Sequence, residues 1–335
     1  MSNALDVFVA VKADLQTCLL ERDDHITHAL QALLCGEHYL QVGPPGSAKS
    51  LLVRALACRI DGTRYFEKLM TAFTVPEELL GPIDLVRYAD HGEYRRIGTG
   101  SLLEAEVAFL DEIYKSNSAI LNSLLTLMNE RLVHEVGLPP QPAPLLSLFA
   151  ASNEIPAEVG LDALDDRFIL RDLVSYVSDE ASFAQLIAAP LDIHAIEASL
   201  TLADLAQAQA ECRQVKGNAE VLQMLIELRH ALHSDGILVS DRRWRACGKV
   251  LKAAAWLDGE AELDPEHGIA LVSALWRQPK DRKTVEKHVY QVACPLYLKA
   301  IEQEDMAQDT YKAVPPLSDR DFPRKADNAI QALTD

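Results

Sequence analysis

The stretch Gly43-Pro44-Pro45-Gly46-Ser47-Ala48-Lys49-Ser50-Leu51 decides the fold. Before it, the short apolar run His38–Val42 predicts a buried strand; after it, the spacing of Lys49–Ile60 predicts a helix. A glycine-rich turn between a strand and a helix is a cradle for phosphate. Successive backbone N–H groups point inward, and the helix start adds the positive end of its dipole. In that frame Lys49 neutralises β- and γ-phosphate oxygens of a nucleoside triphosphate, and Ser50 offers its hydroxyl to Mg²⁺. One residue departs from the usual pattern: Ala48 stands where glycine normally precedes the lysine. Alanine is tolerated there if its φ is negative.

Outward from the loop, Val107–Leu110 reads as a second buried strand and runs into Asp111 and Glu112. An aspartate at such a strand end can hold the magnesium shell together with Ser50. The glutamate after it can polarise a water for in-line attack on the γ-phosphate. Ser147–Ala151 reads as a third strand and leads to Asn153, whose amide can orient that water or simply cap the strand end. Apolar strands alternating with helices indicate an α/β fold on a parallel sheet. Two arginine motifs follow. Arg167 in Leu164-Asp165-Asp166-Arg167-Phe168 can pair with a neighbouring acid or serve as a finger that stabilises transition-state charge. Ser240-Asp241-Arg242-Arg243-Trp244 opens a helix with Ser240 as its N-cap, and Arg242 or Arg243 can reach phosphates from there.

The chain of 335 residues has room for one large and one small domain. Its formal net charge of -18 argues against a general nucleic-acid or membrane-surface binder, since both need a basic face. Six scattered cysteines, none in a C-x-x-C pair, fit a reducing compartment, and no signal segment or membrane-length apolar run is evident. A cytoplasmic protein is the expectation. Beyond about residue 175 the strand signals fade. Ala181–Ile187, Leu202–Arg213, Ala219–Leu232, Asp241–Leu257 and Pro265–Leu275 all read as helices, with a link near Pro190 and a loosely packed tail over Val314–Asp335. Trp244, Trp256 and Trp276 read as core of this helical half. His230 and His233, near Glu227, read as ordinary helix residues and not as metal ligands.

The order GPPGSAKS, FLDE, ASNE, LDDRF and SDRRW resembles the MoxR AAA+ ATPases, and within them the RavA-like branch. Glu21–Ile26, Leu69–Leu85 and Asn122–Arg131 add to the resemblance, which spans roughly residues 15 to 278. It implies a P-loop αβα sandwich over 1–190, a smaller all-helical lid over 191–280 and a C-terminal helical segment and tail over 281–335. It implies ATP and Mg²⁺ as cofactors. Lys49 and Ser50 are then the Walker A contacts, Asp111 and Glu112 the Walker B pair, and Asn153 sensor 1. Arg167 becomes the finger into the adjacent subunit and Arg242 the sensor 2 arginine. Leu80–Gly98 and Leu132–Ala143 become the insert and hairpin of the family. The resemblance also implies a homo-oligomer, typically a hexameric ring, that acts as a chaperone-like remodeller beside a von Willebrand factor A domain protein. Against it stand a nucleic-acid motor or loader, which the charge disfavours, and an assembly switch set by ATP. The β-rich domain that RavA-like proteins can carry after the lid is not expected, because only about sixty residues follow and they read as helix and tail.

Overall fold

The computed structural model describes residues 3–134, 139–155, 162–188 and 192–299, together with residue 303. Nine strands and thirteen α-helices are formed among these. They run α1 (Asn3–Cys18), α2 (Asp23–Cys35), β1 (His38–Val42), α3 (Lys49–Cys58), β2 (Ile60–Asp61), β3 (Tyr65–Leu69), α4 (Pro76–Leu80), α5 (Leu85–His91), β4 (Val107–Asp111), α6 (Ser118–Glu130), β5 (Leu132–Val133), β6 (Gln141–Pro142), β7 (Ser147–Ser152), α7 (Asp162–Asp165), β8 (Phe168–Leu173), α8 (Glu180–Ala188), β9 (Leu200–Thr201), α9 (Leu202–Gln214), α10 (Ala219–Ser234), α11 (Asp241–Leu257), α12 (Val272–Leu275) and α13 (Arg282–Ala293).

Five strands form one parallel sheet in the order β3-β4-β7-β1-β8. Side chains alternate across a strand, so a sheet covered on both faces needs apolar residues on both. The central strands supply them. Tyr39, Phe109 and Phe149 enter one core cluster with α1, α2 and α3, while their neighbours Leu40, Leu110, Leu148 and Ala150 enter another with α6. The product is an αβα sandwich with a helical region after it, as the motif order implied.

Two strands of this sheet escape a search for apolar runs. Tyr65-Phe-Glu-Lys-Leu69 is the sheet edge, where polar residues are tolerated. Phe168-Ile-Leu-Arg-Asp-Leu173 is almost wholly buried yet carries two charges. Both are neutralised in place. Arg171 lies 3.1 Å from Asp165 and stacks over Trp276, while Asp172 accepts from the Tyr39 hydroxyl at 2.6 Å and sits 2.7 Å from His28. This burial is affordable only because each ion has a partner and hydrogen bonds.

The second half is less uniformly helical than expected. Leu200–Thr201 pairs in parallel with Ile60–Asp61, and Pro265–Leu271 is a 3₁₀ turn leading into the short α12. Gly268 within that segment is a poor α-helix former, while Pro265 stands at the first position, where proline suits a helix start. Trp276 is fully buried, and Trp256 packs edge-on against Phe8 of α1 at 5.4 Å, so the lid core continues into the N-terminal helix. The expected insert, Leu80–Gly98, begins at the end of α4, contains α5 and is closed by a bridge from Ile83 to Arg96; β5 and β6 pair as the expected antiparallel hairpin. Pro190 and the tail over Val314–Asp335 lie outside the described residues. Among those described, no helix is long and apolar enough to cross a membrane.

Candidate nucleotide site

Because the sheet is parallel, β1, β4 and β7 all end on one edge, and the loop after each opens onto the same crevice. The loop Gly43–Ser50 leaves β1 there. Gly43 is obligatory: a Cβ on it would come within 2.1 Å of the Val174 carbonyl oxygen, which closes the turn from the end of β8. Gly46 sits at a φ of +76°. Ala48 departs from expectation. Its φ is +65° and its ψ 24°, left-handed backbone, where a negative value was the condition for alanine. The loop must turn its amides inward before α3 begins, and that geometry overrides the preference of the side chain.

Lys49 is buried, and its Nζ donates to the carbonyls of Gly43 at 2.6 Å and Pro44 at 2.8 Å and to Asn153 Oδ1 at 3.4 Å. Burial lowers the lysine pKa, opposed by Asp111 and Glu112 nearby. The amide of Asn153 in turn donates to Glu112 Oε1, which also lies 3.4 Å from Lys115. Glu112 is held at a φ of +54°, a second strained residue at the same edge. Asp111 accepts the Glu112 amide at 3.0 Å. Burial raises the Asp111 pKa, the Lys49 charge opposing it only in part, and among the described residues no cation lies within 4 Å of its carboxylate. A half-buried carboxylate without a direct ion pair, beside a helix that begins Lys49–Ser50, suits a divalent cation held through Asp111 and Ser50. Lys49, Ser50, Asp111, Glu112 and Asn153 therefore share one edge of the sheet.

Beside the loop lies a cavity of about 290 Å³ that no sequence motif announced. Leu19, Leu20, Val177, Phe183 and Leu186 give it apolar walls, and Gly46, Ser47 and Ala48 form its floor. Tyr176 ties it to the loop by donating to the Pro45 carbonyl at 3.0 Å. Glu21, at a φ of +53°, accepts from the amides of Ser178 and Asp179 and from the Ser178 hydroxyl, pinning one wall against the other. A flat heteroaromatic base fits such an apolar slot.

Arg167 and Arg242 are not brought to this edge. Arg167 precedes β8, and Arg242 lies 3.5 Å from Asp166 in the same turn. Strand β8 runs from that turn to the phosphate loop, and its six residues put roughly 20 Å between them. Arg242 thus does not reach its own loop from the lid. Ser240 does cap α11, accepting from the Arg243 amide, and also donates to Asp166, which fixes α11 at the far end of the sheet. Arg243 is buried, donating to the carbonyls of Ile169 and Ala274 at 2.8 Å, so its role is to join lid and core.

A family model described as the MoxR domain of MoxR-vWA-beta-propeller ternary systems matches residues 6–211, and one for an AAA lid domain matches residues 220–289. Two uncharacterized proteins of Methanocaldococcus jannaschii are each 35% identical. One is matched over 88% of this chain and 78% of its own length, the other over 87% and 76%. Chaperone MoxR1 of Mycobacterium tuberculosis is 30% identical over 50% of this chain and 44% of its own. Among solved structures, a Cytophaga hutchinsonii protein proposed to be an ATPase superposes with a TM-score of 0.69 at 20% identity, covering 86% of this chain and 95% of that one, a likeness of fold. The matched domains, the sheet order and the loop at the end of β1 agree: the chain belongs to the MoxR family of AAA+ ATPases.

Proposed function

We propose that this protein hydrolyses Mg-ATP in a ring of identical subunits and uses the cycle to remodel or activate a protein partner. The observation that carries the reading is the linked set Lys49–Asn153–Glu112 on the phosphate loop, together with two arginines held at the opposite end of the sheet. Lys49 sheds its contacts to the loop carbonyls for the phosphate oxygens. Asn153 orients the Glu112 carboxylate, which accepts a proton from the attacking water. Bound magnesium, held by Ser50 and Asp111, would offset charge on the β- and γ-phosphates. Arg167 and Arg242 face away from their own loop, so they serve the site of the adjacent protomer, and oligomerisation becomes part of the chemistry. The base occupies the cavity under Tyr176.

The domain division follows the same reading: an ATP-binding core over 1–190, a lid over 191–280 and a C-terminal segment over 281–335. The matched family model names a vWA component beside its MoxR domain, and a protein with that domain is the partner we infer. A hexamer and a cytoplasmic setting complete the proposal.

The test is a pair of substitutions. Glu112→Gln removes the proton acceptor and leaves the loop intact, so turnover falls by a factor of about 10²–10⁴ while ATP stays bound. Lys49→Ala abolishes measurable ATP binding in a calorimetric titration. Unchanged ATP affinity in Lys49→Ala would sink the phosphate-loop reading altogether.

A further inference from the structure

Arg22 stands between the phosphate loop and the apolar cavity, and no motif assigned it a role. It is 4% exposed. Its guanidinium donates to three neutral acceptors: the carbonyls of Glu21 at 2.7 Å, Ser47 at 3.2 Å and Ser175 at 2.6 Å. Its Nε finds no partner. The other buried arginines among the described residues each have a carboxylate: Arg59 lies 2.8 Å from Asp14, Arg171 3.1 Å from Asp165 and Arg243 3.6 Å from Asp166. Arg22 pairs with none within 4 Å among the described residues. The adjacent Glu21 spends its carboxylate on Ser178 and Asp179 instead.

A desolvated cation whose hydrogen bonds all go to neutral acceptors is costly, because carbonyl dipoles replace hydration without the full charge of a direct ion pair. Burial pushes its pKa down, and the nearby Glu21 charge, followed by Tyr39, opposes this only in part. The counter-charge has one evident place to arrive. Arg22 lines the cavity whose floor is Gly46–Ala48, the segment whose amides wrap phosphate. Lys49, Asn153 and Glu112 mark where the γ-phosphate sits, and the apolar cavity marks the base, so Arg22 stands at the base-proximal end of the phosphate chain.

The geometry assigns Arg22 as the counter-cation of the base-proximal phosphate of a bound nucleotide. The assignment rests on the nucleotide reading above. Since the same guanidinium holds Ser47 in the loop and Ser175 beside the cavity, an anion drawn onto it also draws the two sides together.

The experiment compares ADP with adenosine on the full-length protein by calorimetry and competition, in wild type, Arg22→Gln and Arg22→Lys. Arg22→Gln is expected to weaken ADP by 10- to 100-fold and leave adenosine within about threefold, as expected for one charge-assisted contact to phosphate. Arg22→Lys keeps the charge but not the fork, and its smaller loss should also fall on ADP more than on adenosine. If Arg22→Gln does not fold, Arg22→Lys alone carries the comparison. Parallel changes for both ligands, or no change for either, would show that Arg22 only braces the fold and would overturn the assignment. Failure of wild type to bind ADP, or wild-type ADP affinity in Lys49→Ala, would instead take down the nucleotide reading beneath it.

Discussion

At Ala48 the backbone adopts a conformation that alanine resists, at about 1–2 kcal/mol relative to its right-handed alternative. Glycine there removes the strain but frees the unfolded chain, which returns about 0.4–1 kcal/mol. Ala48→Gly should therefore stabilise the protein by about 1 kcal/mol or less in urea denaturation, with ATP affinity kept, because the loop amides do not move. The pair of His28 and Asp172 sets a pH dependence. Burial raises the Asp172 carboxyl pKa, but His28 and the Tyr39 hydroxyl outweigh it and hold the group at about 2, below its ordinary 3.8. A depressed acid stabilises the fold above the unfolded value, and that contribution is lost as pH falls from about 4 toward 2. His28 is shifted the other way: burial lowers its pKa, yet Asp172 raises it above 6.5 on balance. Its contribution is complete below 6.5 and disappears as pH rises through the raised value. Denaturation midpoints across pH should show both slopes, and Asp172→Asn should flatten them.

At the scale of elements, α11 and β8 show how two adjacent arginines part company. Helical geometry turns Arg242 to solvent and Arg243 into the seam between lid and sheet. Arg242→Ala should cost under about 1 kcal/mol, as for other exposed pairs. Arg243→Met strips the donor from the Ile169 and Ala274 carbonyls and should cost about 2–4 kcal/mol. Thermal denaturation of both variants checks the contrast, and equal losses would contradict the placement of α11. The loop after β1, the acids at the end of β4 and the asparagine after β7 were all legible in the sequence, because a short, mainly apolar strand leads to each. Strand β8 was not legible, because its two charges interrupt the apolar run and are neutralised only in the fold: Asp172 by His28 of α2 and Tyr39 of β1, far away along the chain, and Arg171 by Asp165 at the end of α7.

At the scale of the whole molecule, the arginines at one end of the sheet and the phosphate loop at the other make a prediction about assembly. Subunits carrying Lys49→Ala alone, or Arg167→Ala alone, should hydrolyse little ATP. Arginine fingers are worth about 10³–10⁵ in turnover, and a loop without its lysine binds poorly. Mixed rings should regain activity, since some sites then pair an intact Lys49 with an intact Arg167 from the neighbour. No recovery on mixing would rule out a shared site. Arg242→Ala should behave as Arg167→Ala does, lowering turnover without changing nucleotide affinity in the isolated subunit.

Local chemistry determined what could be read in advance. The phosphate loop, its acids and the three central strands that carry them depend on neighbours in the chain, on apolar runs and on turn-forming residues. Tertiary structure decided what depends on distant segments meeting. It placed Arg22 between Ser47 and Ser175, built the apolar cavity beside the loop from residues about 160 positions apart in the sequence, and sent Arg242 away from its own loop. It also put Ala48 into left-handed backbone, because the inward turn of the loop amides outweighs the preference of one side chain.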